Sequence, residues 1–270
     1  MRLPGRLVLL GHPVSHSLSP TFQNAALEAA EIPVRYEALD IPPVDFERAI
    51  DGLRALGAWG NVTVPHKERM FDACELHTPI ADRVRAVNTF WIDEKGHLAG
   101  DNTDVGGFTG AVENLLGGPP HDLTVGVLGA GGTAAAVLAA VESWHSCYAH
   151  VYNRTPERAR VLCERFRSVA QPIDDIGVAA GCDLVVNATS VGLRDDAFPM
   201  APALIAPTSA VIDLVYRPGE TAWVRELRAR GHRTCDGIGM LIEQGALAFE
   251  RWFGVAPDRS VMWGAIRRNG

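Results

Sequence analysis

Thr124-Val-Gly-Val-Leu128 runs directly into Gly129-Ala130-Gly131-Gly132-Thr133-Ala134, and an Ala-rich stretch follows as far as Val141. The first five residues have the apolar character of a buried strand, the G-x-G-x-x-A string breaks it, and the alanines favour a helix. That order suits a dinucleotide. Glycines let the backbone turn sharply and approach a pyrophosphate, while the helix N-terminus offers free N–H groups and positive potential to the phosphates. A tight glycine turn holding nothing is the plainer alternative for the bare string. Leu123 to Val141 carries no charge and approaches the length of a membrane span, but Gly126, Gly129, Gly131 and Gly132 divide it, so no span is predicted.

Outward from this unit, apolar runs of strand length alternate with helical patterns, the signature of parallel α/β architecture. Strands are expected near 7–10, 34–39, 60–64, 87–92, 124–128, 149–153, 183–187, 211–214 and 233–235. Helices fit at 20–31, 45–56, 66–73, 104–116, 133–143, 156–166, 221–230 and 239–253, with Ser19 as N-cap and Pro20 as first helical residue of the earliest. Glu94-Lys95-Gly96 reads as a hairpin turn. Gly117-Gly118-Pro119-Pro120 ends one helix just before the glycine unit and marks a domain boundary. The fold class is therefore α/β with two domains, an N-terminal α/β substrate domain and a Rossmann-like doubly wound one, with ligand expected in the cleft between them.

The 270 residues are 47% apolar and 21% charged, with 25 Lys plus Arg against 32 Asp plus Glu and a net charge of -7. A basic nucleic-acid surface is absent from that pattern, so no nucleic-acid partner is expected. Cys74, Cys147, Cys163, Cys182 and Cys235 are odd in number and lack C-x-x-C spacing, which argues for reduced core thiols and against a structural metal. Arg2 and Arg6 precede only the apolar run Leu7 to Leu10, too brief for a signal-peptide core. A cytoplasmic protein is expected.

The end of the second strand of the dinucleotide half, Val151-Tyr152-Asn153-Arg154-Thr155, lacks the acid that would hold the ribose hydroxyls of NAD. Arg154, with Arg158 one helical turn on, can embrace a 2′-phosphate, so the expected cofactor is NADP. Both arginines can also simply solvate a helix start. Asn187-Ala-Thr189-Ser190-Val-Gly192 follows a strand at its carboxyl end, where doubly wound sheets place ligands. It is expected to back the cofactor, unless Thr189 and Ser190 only satisfy their own turn.

In the first half, Asn61 and Thr63 fall on one face of a strand by its two-residue period. Lys67 stands at a predicted helix start, where a positive charge opposes the dipole. Ser17 and Ser19 bracket Leu18 before Pro20 and read locally as a turn and a cap. Asp104 can cap the helix it opens. Asn88 lies in an apolar strand and must find partners if buried. Gln244 lies one turn beyond Met240 on the last long helix.

The order and spacing of nine segments resemble the shikimate dehydrogenase family. They are Gly11-His-Pro-Val-Ser-His16-Ser17-Leu-Ser19-Pro20, Gly60-Asn61-Val-Thr63-Val-Pro65-His-Lys67, Ala86-Val-Asn88-Thr89, Gly100-Asp-Asn102-Thr-Asp104, Gly129-Ala-Gly-Gly132, Asn153-Arg-Thr155, Asn187-Ala-Thr-Ser-Val-Gly192, Asp213-Leu-Val-Tyr216-Arg-Pro218 and Asp236-Gly-Ile-Gly-Met240-Leu-Ile-Glu-Gln244-Gly-Ala246. The resemblance implies reversible reduction of 3-dehydroshikimate to shikimate with NADPH, in aromatic amino acid biosynthesis. It implies Lys67 and Asp104 as the catalytic pair, Ser17 and Ser19 on the substrate carboxylate, and Asn61, Thr63, Asn88 and Gln244 on the ring hydroxyls. Tyr216 is expected on the substrate, with Gly237 and Met240 joining Gly129, Ala130, Gly131, Gly132, Thr133, Ala134, Asn153, Arg154, Thr155, Arg158, Thr189 and Ser190 at the cofactor. The helices from about 239 are implied to return to the first domain, giving 1–103 plus 239–270 as the substrate-binding domain and 104–238 as the NADP-binding domain. Thr21-Phe22-Gln23-Asn24 departs from the family, which often carries His before that Asn.

The chemistry of the residues agrees. Hydride arriving at a carbonyl carbon leaves the oxygen needing a proton, and Lys67 is the cation in these segments able to give one, because arginine does not readily deprotonate. The small-molecule substrate is the one expected partner, for a monomer or homodimer. Three other readings remain: an NAD-using quinate/shikimate dehydrogenase, a non-catalytic NADPH sensor, and methylene-tetrahydrofolate dehydrogenase. The Arg154 segment argues against the first, the joint presence of Lys67, Asp104 and the two serines against the second, and the serine pair with the Gln244 segment against the third.

Overall fold

The structure, a computed structural model, describes residues 3–217 and 219–269; Arg2 and Pro218 of the segments quoted above lie outside the described residues. The chain forms two compact units, Met1–Asp104 with Ile242–Gly270, and Val105–Leu241.

The first unit contains β1 (Leu7–Gly11), α1 (Ser19–Ala29), β2 (Tyr36–Asp40), α2 (Phe46–Ala55), β3 (Trp59–Val62), α3 (Lys67–Ala73), β4 (Leu76–His77), α4 (Pro79–Val84), β5 (Thr89–Ile92) and β6 (Leu98–Asp101). Its sheet has the order β2-β1-β3-β5-β6-β4 and is mixed, not parallel as the alternating pattern suggested. β5 runs antiparallel to both β3 and β6; residues 93–97 close the hairpin between β5 and β6, in which the Asp93 carboxylate accepts the N–H groups of Lys95 and His97, both at 2.8 Å. Val8, Leu10, Phe46, Met70 and Phe90 belong to its buried core.

The next elements in the chain are α5 (Asp104–Leu116), β7 (Thr124–Leu128), α6 (Gly132–Ser143), β8 (Tyr148–Tyr152), α7 (Pro156–Arg165), β9 (Ala170–Ile173), α8 (Ile176–Ala180), β10 (Leu184–Asn187), β11 (Ala210–Asp213), α9 (Ala222–Ala229) and β12 (Thr234–Cys235). Every pairing of the second sheet, ordered β12-β11-β10-β7-β8-β9, is parallel. Counting β7 as first, the order is that of the doubly wound dinucleotide fold, whose direction reverses between β7 and β10. Residues 134–141 of α6 are all buried, so the uncharged stretch is a strand and a core helix. No helix among the described residues is long and apolar enough to cross a membrane. The chain ends in α10 (Gly237–Phe253) and α11 (Arg259–Asn269).

Several local expectations are corrected. Ser19 is the first residue of α1 and not its cap; the Ser17 hydroxyl instead accepts the Ser19 N–H at 3.2 Å. α10 begins at Gly237 rather than 239, where the Asp236 carboxylate accepts the Ile238 N–H at 3.0 Å. β4, β6, β9, α4, α8 and α11 add to the expected elements. β4 has two residues and α8 five, and β9 contains Pro172, which an edge strand tolerates.

Candidate active site

One end of the mixed sheet collects the polar segments of the first unit. β1 and β3 are parallel neighbours, so the serine segment after Gly11 and the Thr63–Lys67 segment leave the sheet side by side. A Cβ on Gly11 would lie 2.4 Å from Thr63 Cγ2, so the glycine permits this approach. Antiparallel β5 starts at the same end, Asn61 pairing with Thr89 and Thr89 with Asp101. The reversal of β5 thus brings Asn88 and Asn102-Thr103-Asp104 to the ends of β1 and β3.

Lys67 Nζ donates to Asp104 Oδ2 at 2.7 Å, with 23% and 9% of the two side chains exposed. Asn88 Nδ2 donates to Asp104 Oδ1 at 2.8 Å and approaches Gln244 Oε1 at 3.4 Å. The Asn102 side-chain oxygen accepts the Asp104 N–H at 3.1 Å, so Asn102 serves the helix start while the Asp104 carboxylate faces Lys67 and Asn88. A lysine at the first position of α3 works against the helix dipole, and the aspartate compensates. Ser17 is half-buried, Ser19 buried, Thr63 half-buried and Gln244 buried. Lys67, Asp104, Asn88 and Gln244 are therefore joined in one cluster, in a chemically sensible arrangement for moving a proton at Lys67 Nζ.

In the second unit the Gly129 turn lies at the reversal point of the sheet. Gly129 has φ +113° and a Cβ there would meet Ala188 O at 2.8 Å, so the turn packs against the Asn187 segment. Cβ atoms on Gly131 and Gly132 would meet nothing within 4 Å, leaving the N-terminus of α6 open to an anion. Arg154, Thr155 and Arg158 are exposed, and Asn153 Nδ2 donates to Thr155 O at 2.8 Å. These residues fit a phosphorylated dinucleotide: an uncovered glycine cradle, a helix N-terminus and exposed guanidinium groups.

Other expected cofactor residues are occupied within the fold. The Thr189 hydroxyl donates to Asn187 Oδ1 at 2.7 Å and accepts the Val191 N–H at 3.1 Å, satisfying its own turn; Ser190 is exposed. Asn187 Nδ2 donates to the buried Asp213 at 2.8 Å, and Thr221 Oγ1 donates to the same carboxylate at 2.7 Å. Burial pushes the Asp213 carboxyl up from its ordinary value, against the pull of those donors. Tyr216 is half-buried after β11, and Met240 is buried in α10. A Cβ on Gly237 would lie 2.4 Å from Leu214 O, so Gly237 is required by packing.

Residues that sequence reasoning passed over also shape the first unit. Asp101 accepts from Thr78 Oγ1 at 2.5 Å and pairs with Arg251 at 2.8 Å. Gln23 Nε2 donates to Gly245 O at 2.9 Å, beside Gln244. Asn24 brackets the main chain of Tyr36, and the Tyr36 hydroxyl reaches Asn61. No sequence signal distinguishes these side chains from surface charges or core aromatics, because each acts on a segment distant in the chain. Among the described residues no group of His, Cys, Asp and Glu is placed to hold a metal ion.

Family comparisons agree in each part of the chain. The shikimate dehydrogenase substrate binding domain matches residues 9–90, the shikimate / quinate 5-dehydrogenase family residues 114–193, and the shikimate 5'-dehydrogenase C-terminal domain residues 237–267. Shikimate dehydrogenase (NADP(+)) of Rubrobacter xylanophilus is 43% identical over 97% of this chain and 95% of its own length. The crystal structure of shikimate 5-dehydrogenase from Thermus thermophilus in complex with NADP(H) and shikimate is 41% identical, with a TM-score of 0.89 over 97% of this chain and 98% of that one. Quinate dehydrogenase from Corynebacterium glutamicum in complex with NAD is 29% identical, with a TM-score of 0.88 over 97% and 98%. With its two sheets, its polar cluster and its glycine cradle thus matched in both sequence and fold, the chain belongs to the shikimate dehydrogenase family.

Proposed function

We propose that the unit of Met1–Asp104 and Ile242–Gly270 holds 3-dehydroshikimate or shikimate and the unit of Val105–Leu241 holds NADP(H), for the reversible NADP-dependent oxidoreduction of the family. The observation that supports this reading is the chain of contacts that runs from Lys67 Nζ through the Asp104 carboxylate and Asn88 to Gln244. NADPH, when bound, supplies the hydride. Lys67 Nζ gives its proton to the carbonyl oxygen as the alcohol forms, and takes it back in the oxidation direction. Asp104 holds the ammonium in place and accepts a substrate hydroxyl. Ser17 and Ser19 donate to the substrate carboxylate, while Asn61, Thr63, Asn88 and Gln244 meet the ring hydroxyls. Gly129 to Ala134 cradle the pyrophosphate, with Gly237, Met240 and the Thr189-Ser190 turn behind the cofactor. Asn153 to Thr155 and Arg158 take the 2′-phosphate, and Tyr216 borders the reacting ring.

The expected setting is the cytoplasm, as a monomer or homodimer, where a reduced nicotinamide pool meets free thiols. The test is NADP⁺ reduction with shikimate, with quinate and with neither, repeated with NAD⁺. Shikimate and NADP⁺ are expected to be the preferred pair. Equal rates with quinate would move the assignment to a quinate/shikimate dehydrogenase, and absence of turnover with both acids would overturn it.

A further inference from the structure

Asp213 closes β11 after the apolar and buried Ala210, Val211 and Ile212, so the sheet itself has no need of a charge there. Burying a carboxylate is costly unless donors converge on it, and three do. Oδ1 accepts Asn187 Nδ2 at 2.8 Å and the Val215 N–H at 3.1 Å, both of which can only donate. Oδ2 accepts the Thr221 hydroxyl at 2.7 Å, whose oxygen in turn accepts the Val224 N–H at 3.3 Å as it caps α9. Asn187 is fixed in its orientation: Nδ2 also faces the main-chain carbonyl of Val191 at 3.3 Å, and Oδ1 takes the Thr189 N–H at 3.0 Å. One carboxylate thus joins the turn after β10 to the segment after β11.

The reversal between β7 and β10 divides the dinucleotide fold into two mononucleotide halves. With the 2′-phosphate at Arg154, after the end of β8, the ends of β10 and β11 fall on the nicotinamide side. Main-chain hydrogen bonds pass the placement on: Leu214 N donates to Asn187 O at 3.0 Å, Ala188 N to Leu128 O at 2.8 Å, and Gly237 N to Val215 O at 3.1 Å. Asp213 and Thr221 are 0% and 1% exposed, so neither side chain reaches a ligand.

We propose that Asp213 and Thr221 are positioning residues for the nicotinamide half of NADP(H), holding segments 187–191 and 214–216 in one arrangement through Asn187 and Val215. This rests on the functional reading above. Thr221 fixes Oδ2, and without its hydroxyl the carboxylate is free to rotate away from the two N–H groups on Oδ1.

The test is calorimetric titration of the whole protein with NADP⁺ and with adenosine 2′,5′-bisphosphate, which carries the adenosine side and no nicotinamide. Thr221→Val is expected to raise Kd for NADP⁺ by about ten-fold, the lower end of what a hydrogen bond to a charged group is worth, with Kd for the bisphosphate essentially unchanged. Thr221→Ser keeps both the donor and the cap and should bind both ligands like the wild type. Asp213→Asn, which leaves the cap in place but turns an amide N–H toward Thr221, carries the test if Thr221→Val folds poorly, and the same selective loss of NADP⁺ is expected. Unchanged NADP⁺ binding in the folded variant, an equal loss for both ligands, or Thr221→Ser as weak as Thr221→Val would each overturn the proposal and leave the functional reading standing. Wild-type protein that does not bind NADP⁺ would overturn both.

Discussion

Lys67 Nζ and Asp104 Oδ2 meet at 2.7 Å although 37 positions separate them in the chain, and each stands at the first residue of a helix. The pairing places a proton donor beside a carboxylate whose second oxygen is held by Asn88. Lys67→Met is expected to lower kcat by about 10²–10⁴-fold, the usual worth of a general acid, with the protein folded. Steady-state NADP⁺ reduction with shikimate measures it, and a normal kcat would remove Lys67 from that role.

Arg154 is exposed at the end of β8, where no acid stands to hold a ribose. If it grips the 2′-phosphate, Arg154→Ala should raise the dissociation constant for NADP⁺ by about ten-fold or more while leaving that for NAD⁺ unchanged. Titration calorimetry with both nucleotides decides it. Equal NAD⁺ and NADP⁺ binding, insensitive to the substitution, would refute this selectivity.

Two glycines of the same turn should fail differently. Gly129 combines φ +113° with an approach to Ala188 O, so Gly129→Ala is expected to cost at least about 1 kcal/mol of stability. Gly131 faces open space, so Gly131→Ala should unfold like the wild type yet bind NADP⁺ more weakly. Thermal unfolding with and without nucleotide separates the two, and an equally stable Gly129→Ala would contradict the first.

Asp101 is buried, and its Arg251 partner is half-exposed on α10, seven residues beyond Gln244. Those two positions lie on one face of the helix. Arg251→Ala should cost about 1–2 kcal/mol, discounted for the exposed guanidinium, and raise KM for shikimate through Gln244. Urea unfolding and kinetics on one preparation test both parts; no change in either would show the ion pair to be idle.

Burial pushes all five thiols up, Cys74 and Cys235 to about 12 and Cys163 to about 11. Thiolates are the reactive form, so iodoacetamide at pH 8 should label none of the five in the folded protein and all five in urea. Rapid alkylation of the native protein with loss of activity would contradict this.

Burial also raises the Asp213 carboxyl. A raised folded-state value means that the folded protein binds the proton more tightly, so this group's contribution to stability falls as pH climbs from the ordinary aspartate value toward the raised one. Asp213→Asn should flatten that part of the stability profile, measured by urea unfolding across acid to neutral pH.

The glycine turn between β7 and α6, the alternation of the second unit and the lack of an acid beside the exposed Arg154 were all legible in the amino-acid order, because each is a local pattern of backbone demand, periodicity or charge. The segments carrying Lys67, Asp104, Asn88 and Gln244 were legible only as separate strings, joined by resemblance rather than by geometry. The hairpin turn at Glu94-Lys95-Gly96 already announced the reversal between β5 and β6, whereas the burial of Asn61, the Tyr36 hydroxyl beside it and the Arg251 clamp belong to the tertiary structure alone. Hydrogen-bond direction depends on which donors and acceptors are forced together away from water, and residues remote in the chain acquire that relation only when the sheet brings them together.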